Sequence, residues 1–188
     1  MTALTTGIET GLALLLLLHL QAEFDLEPGA IAFLFLPGAI LLAVLPERAY
    51  GVAVRLGRSR SLVLSLLGGA VFTGTLAVLD EPLAVAVLWA LWAAAISVAL
   101  PVEQTTVAQA SQGSLGRGMG LYTTAALIGT VAASPLLASI YGGAGWRTAC
   151  TVAAGGLLLG AALVPLAVRA LGLPDALATQ PAPPEAVD

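Results

Sequence analysis

An all-α integral membrane protein, a bundle of six transmembrane helices, follows from three features of this 188-residue chain. First, 59% of its residues are hydrophobic and only 10% are charged, against about 25% charged in a soluble domain, too few to give it a water-facing surface. Second, the apolar residues fall into six runs, each near the roughly 20 residues a helix needs to cross about 30 Å of hydrocarbon. Third, two clusters of arginine and glycine interrupt these runs, Gly51–Arg60 and Gln112–Gly120. They lie two crossings apart and so belong on the same side of a bilayer.

The first span is predicted at Thr5–Ala22. No basic residue precedes it and no small-residue cleavage site follows a short apolar region, so it reads as a retained span and not as a signal peptide. Glu23–Gly29 is an acidic turn ending in the breaker Pro28-Gly29. The second span, Gly29–Leu45, carries Pro37, which removes a backbone donor and is expected to kink it. Span three is Ser61–Leu79. Asp80-Glu81-Pro82 then turns the chain, with Pro82 suited to open span four at Leu83–Leu100. Span five is Met119–Tyr141, the glycine-rich Gly142–Gly145 forms a turn, and span six is Ala149–Val168. Residues 1–171 therefore form one transmembrane domain. Residues 172–188, rich in Pro, Ala and acids and poor in large apolar groups, read as a disordered cytoplasmic tail.

Orientation follows from the basic residues, all seven of which are arginine. Arg48, Arg55, Arg58, Arg60, Arg117 and Arg169 share one side and only Arg147 lies opposite. Basic residues near span ends stay in the cytoplasm, which puts both termini there in a multi-pass plasma-membrane protein.

An ionisable group at membrane depth costs roughly 2.5–3.5 kcal/mol on insertion scales, which makes it a functional candidate. Glu9 lies nine positions before Leu18, roughly 14 Å along a helix. Two readings stand for it: a carboxyl that takes up and releases a proton in each cycle, or a charge that favours the positive end of its helix. His19, near the outer end of the same span, is either a packed interfacial residue or a relay. Glu103 and Gln104, past Pro101, either line the cytoplasmic mouth or are solvated. Trp89 and Trp92, three apart, share a helix face and either floor an apolar substrate cavity or pack in the core. Tyr122 and Thr123-Thr124 open span five and are candidates to face the pathway. Gly156 and Gly160 make a small-xxx-small pair, suited to close packing within the bundle or to a dimer face.

Other classes are excluded or unsupported. A net charge of −4 leaves no basic stripe for nucleic acid. One histidine and one cysteine, Cys150, furnish neither a disulfide nor a metal site. There is no phosphate-binding loop, metalloprotease helix or nucleophile elbow. No enzyme activity, cofactor or metal is implied.

The residues now carry a resemblance. Gly51-Val52-Ala53-Val54-Arg55-Leu56-Gly57-Arg58-Ser59-Arg60 resembles the G-x-x-x-D-R-x-G-R-R loop of the major facilitator superfamily. Gly51, Arg55, Gly57, Arg58 and Arg60 match in place, while Val54 stands where the motif has aspartate and Ser59 replaces a basic residue. Arg117-Gly118-Met119-Gly120-Leu121-Tyr122 is similar to the family's entry into an eleventh helix. Ser134-Pro135 and Gly145-Trp146-Arg147 resemble that helix's break and exit turn, and Leu18-His19-Leu20-Gln21 resembles the end of a seventh. The order matches the carboxy-terminal six-helix half of such a transporter, through about Leu171.

The resemblance implies a secondary transporter that moves a small, hydrophobic organic solute or drug by alternating access, coupled to protons. The site would lie between two halves at mid-membrane. The loop arginines, with Arg117, would form a cytoplasmic gating loop in which Gly51 and Gly57 allow a tight turn. Beyond the lipid bilayer and the substrate, the expected partner is a missing amino-terminal half or a second copy in a homodimer. The family's seventh helix usually begins before the position of Met1, which favours a fragment. The competing class is a non-transporting membrane subunit that packs against and stabilises another membrane protein.

Overall fold

The computed structural model describes residues 1–111 and 114–177 and is helical nearly throughout. Five helices are assigned: α1 Thr2–Phe24, α2 Pro28–Leu56, α3 Arg58–Leu76, α4 Pro82–Ala110 and α5 Leu115–Ala170. All five are long and apolar enough to cross a membrane. The predicted fifth and sixth spans are not separate helices in this assignment. Both lie in α5, whose 56 residues are interrupted at Gly145, with φ 82° and ψ 175°. The glycine-rich turn thus shrinks to one residue in a conformation that an L side chain resists.

The packing shows what that interruption does. Gly129 sits against Ala3 and Gly160 against Thr5, near the start of α1. Tyr141 and Trp146 both meet His19, near its end. The two stretches of α5 therefore run antiparallel along α1, reversing at Gly145. Gly156 meets Ile8 and Gly160 meets Thr5, so the small-xxx-small pair serves close packing inside one chain. Close approach recurs where a Cβ at Gly7 would strike the Gly129 backbone. Lipid supplies no hydrophobic drive between helices, and glycine contacts let dispersion supply it instead.

α1 packs mainly on α5, α2 on α4, and α3 on both α4 and α5. About half of the α1 and α3 spans is buried, against 11% of the α2 span, so α2 is peripheral. Its apolar side chains Phe33, Leu36, Ile40 and Val44 are exposed. The core is aliphatic around Leu12, Leu15, Leu16, Leu20, Leu157 and Val164.

Several boundaries move. α2 continues through Pro37 and Pro46, and α4 through Pro101, well past the predicted ends of spans two and four. Ser134-Pro135 also lies inside continuous helix. Hence Gly51 and Arg55 belong to α2 and not to a loop, and the α2–α3 turn is Gly57 alone, with φ 84°. Prolines Pro28 and Pro82 open α2 and α4, where the missing amide needs no partner. Asp25, left-handed at φ 50°, ends α1. The predicted tail does not begin at 172: Asp175 bonds the start of α3 and Leu177 is buried. Its remainder, 178–188, lies outside the described residues, as do Gln112 and Gly113 of the second Arg/Gly cluster.

Candidate functional site

Three helices bring polar groups to one depth. Glu9 stands seven residues into α1, Glu103 seven residues before the last of α4, and Tyr122 seven residues into α5. Each is roughly 10 Å along its helix from the end where Thr2, Ser111, Arg117 and Leu171 gather. The Tyr122 hydroxyl donates to Glu103 Oε2 at 2.8 Å. Glu9 stands at the same depth on α1. The structure thus pairs Glu103 with Tyr122, a residue that lines a cleft. α4 runs on through Pro101, so Glu103 lies inside a packed helix and not beyond its end. The signal available in the sequence was its spacing: an acid seven residues before a polar helix end, opposite another seven residues after a helix start.

Because α1 begins at Thr2, Glu9 is two turns inside it, beyond the first turn in which a helix dipole acts strongly.

A cleft of about 510 Å³ leads from this end to the cluster. Tyr122 lines it, with Thr2, Thr106, Arg117, Gly118 and Leu171. The arrangement can hold a proton on the Glu103 carboxyl, with the Tyr122 phenol as the group shared between that carboxyl and the cleft.

At the opposite end a second cleft of about 510 Å³ is lined by His19, Glu23, Asp80, Trp146 and Arg147. His19 stacks on Trp146 at a centroid distance of 4.1 Å, and its Nδ1 lies 3.4 Å from the Tyr141 hydroxyl. Trp146 Nε1 donates to the Leu76 carbonyl at 3.0 Å. His19 and Glu9 are therefore near opposite ends of α1 and share no cluster.

Trp89 and Trp92 sit in an aromatic group with Phe35 and Phe72, where Trp92 stacks on Phe72 at 4.8 Å. Gly38 and Gly69 make room for their indoles. Neither lines either cleft. Both indole N–H groups are buried without a partner among the described residues.

The predicted gating residues separate. Arg55 and Arg60 are exposed. Arg58 is fully buried and donates through Nη2 to Gln109 Oε1 of α4. Its Nε and Nη1 have no partner among the described residues. Arg117 lines the first cleft and not this junction. The sequence reading missed Asp175. Its carbonyl accepts the Arg58 amide at 2.8 Å, and its Oδ1 accepts the Ser59 amide at 2.7 Å. Hydrogen bonds from the Ser59 hydroxyl and amide hold its carboxyl below the usual carboxylate range, helped by Arg58 and Arg60. A carboxylate from beyond α5 thus caps the start of α3. Nothing local marks it, because the contact spans 116 residues.

No group of three or more His, Cys, Asp or Glu among the described residues could hold a metal. The family model of the Major Facilitator Superfamily matches residues 1–186. The chain belongs to the major facilitator superfamily. No curated protein and no solved structure matches it. Major facilitator proteins are transporters, so membership makes this chain a multi-pass membrane protein of the transporter kind. The arginine motif that suggested the family is built here as helix, single-glycine turn and helix.

Proposed function

We propose that this chain is the carboxy-terminal six-crossing half of a secondary active transporter, moving a small hydrophobic organic solute or drug outward in exchange for protons. The two antiparallel stretches of α5 supply the fifth and sixth crossings. The arginine-bearing end, with both termini, faces the cytoplasm of a plasma-membrane protein. Glu9 is the group that takes up and releases the proton, with Glu103 and Tyr122 as its electrostatic neighbours. The observation that carries this reading is the Tyr122–Glu103 hydrogen bond at the head of the arginine-side cleft, with Glu9 at the same depth on α1. An ionisable group at membrane depth is costly to insert, which makes Glu9 a functional candidate. The pathway is completed by an amino-terminal half or a second copy packed over the chain.

The test is ethidium movement into inverted membrane vesicles under an imposed proton gradient, comparing the wild type with Glu9→Gln. Gradient-driven uptake by the wild type, lost in Glu9→Gln, is the expected result. Equal uptake by both proteins removes Glu9 from coupling, and uptake by verified monomers in liposomes removes the half-transporter reading. If neither protein moves ethidium but a co-purifying membrane protein loses stability without the chain, the non-transporting subunit is the better account.

A further inference from the structure

The end of the bundle opposite the arginine-rich side carries charges of both signs around one opening. Its cleft of about 510 Å³ lies where the last turn of α1, the α3–α4 turn and the reversal of α5 converge. α1 contributes Glu23, the turn contributes Asp80, and the second residue past Gly145 contributes Arg147. All three are exposed, and none makes an ion pair or a side-chain hydrogen bond with another described residue. Two carboxylates and a guanidinium therefore share the opening without neutralising one another. With two acids to one arginine the rim is net negative and draws cations into the cleft.

The floor beneath this rim is held on several sides. His19 lies flat against Trp146, with ring centroids 4.1 Å apart and planes 9° from parallel. Tyr141 meets both rings edge-on, and Trp146 Nε1 donates to the Leu76 carbonyl at the end of α3. One indole thus joins α5 to α1 and to α3. Small residues keep the space above it open: Ala77, Ala144 and Gly145 line the cleft, and a Cβ on Gly145 would meet nothing within 4 Å. A fixed aromatic floor under a charged rim binds at low entropic cost, because only the rim side chains lose freedom.

We propose that this cleft binds a small zwitterion bearing a primary ammonium and one singly charged anionic group, the ammonium between Glu23 and Asp80 and the anion on Arg147. The ammonium has three donors and no acceptor, which suits a pair of carboxylates. The guanidinium fork matches a carboxylate or a phosphodiester, with charge-assisted bonds at both ends of the ligand. The short carbon chain between the two charges lies over Trp146 and Phe24, which line the same cleft. An anion alone is repelled by the net negative rim, and a cation alone leaves Arg147 unmatched. A dissolved amino acid and an ethanolamine phospholipid headgroup offer the same chemistry, and Trp146 and Tyr141 are the residue types that sit at headgroup level. Bound, either one bridges α1, the α3–α4 turn and α5.

The site does not depend on the transport reading, since its test reads occupancy in a full chain that need not move anything. Ala144 lines the cleft and becomes the reporter as Ala144→Cys, while Cys150 is fully buried and stays silent. The chain is placed in phosphatidylglycerol nanodiscs, whose headgroups carry no ammonium, and maleimide labelling is timed. In about 20 mM β-alanine labelling should slow about fivefold, the protection given by a Kd of about 5 mM. Ethylammonium or propionate at the same concentration, each with one of the two charges, should slow it by less than about twofold. Asp80→Asn and Arg147→Gln, both at exposed positions, should each restore the unliganded rate. In discs containing phosphatidylethanolamine and no β-alanine, labelling slower than that of the Asp80→Asn chain in the same discs identifies the lipid as an occupant. Slowing that appears only on adding β-alanine identifies a dissolved ligand. The site is overturned by rates that stay level in every arm, by equal protection from ethylammonium or propionate, or by protection that survives both substitutions.

Discussion

The glycines of α5 make opposite predictions within one helix, and the difference is computable from their surroundings. A Cβ on Gly129 would fall on the backbone of Ala3, and one on Gly7 would strike the backbone of Gly129. Backbone cannot swing away, so an alanine at either place must push α1 off α5. Overpacking of this kind costs about 1–3 kcal/mol. At this chain length each kcal/mol shifts the midpoint by roughly 2–4 °C, which places Gly129→Ala about 2–12 °C below wild type. A Cβ on Gly156 would meet only the tip of Ile8, a side chain that can rotate, and the loss there should be about 1 kcal/mol or less. A Cβ on Gly155 meets nothing. There the gain of helix propensity, about 0.5–1 kcal/mol, should raise the midpoint by about 1–4 °C. The assay needs no added label: Cys150 is the chain's only cysteine and is fully buried, so a thiol-reactive dye reports unfolding as the detergent-solubilised protein is heated. The reasoning is refuted if Gly129→Ala unfolds at or above the midpoint of Gly155→Ala, since the two positions would then ignore what faces them.

Two further outcomes follow from contacts at the two ends of the bundle. The Asp175 carboxyl is held below its ordinary range by Ser59, so its contribution is present above the unfolded-state pKa and is lost as pH falls through the lower folded value; Ser59 amide protection should be level from pH 7 to about pH 5 and should drop only in stronger acid, as read by hydrogen exchange. Trp146→Phe keeps a ring beside His19 but leaves the Leu76 carbonyl without the indole N–H donor; a lost buried bond of this kind costs about 1–3 kcal/mol, so the thiol-dye midpoint should fall, whereas an unchanged midpoint would mean that solvent satisfies that carbonyl.

How much of this was legible in the sequence depends on the range over which each feature is determined. The existence of the apolar spans, their order and the acidic and arginine ends were readable, because length and composition decide them locally. The helix ends were not. α2 and α4 run past their predicted ends and through Pro46 and Pro101, because a helix in a bundle has neighbours that hold it through a missing bond. The arginine motif pointed to the family and misled on shape, since Gly51 is helical and Gly57 alone turns. Asp175 was invisible for a simpler reason: its partners are on the far side of the chain, and a lone acid in a Pro-rich segment has no periodicity to betray it.

The polar residues sort themselves by a criterion that the sequence does not display. Most buried or half-buried hydroxyls are bonded to a carbonyl of their own helix four residues back: Thr73 to Gly69, Ser97 to Ala93, Thr106 to Val102. Such groups are satisfied wherever the helix goes and carry no information between helices. Tyr122, Glu103, Arg58 and Asp175 differ because their partners lie on other elements, so their bonds survive only in some arrangements of the bundle. A protein that works by changing its helix arrangement must store its preference in bonds of the second kind. They stand at both ends of the bundle: Tyr122–Glu103 and Arg58–Gln109 on the arginine side, and Trp146–Leu76 on the other. The two unpartnered indoles of Trp89 and Trp92 belong to neither kind. Trp92 stacks on Phe72 and Trp89 meets Phe35 edge-on, ring contacts that need no hydrogen-bond partner.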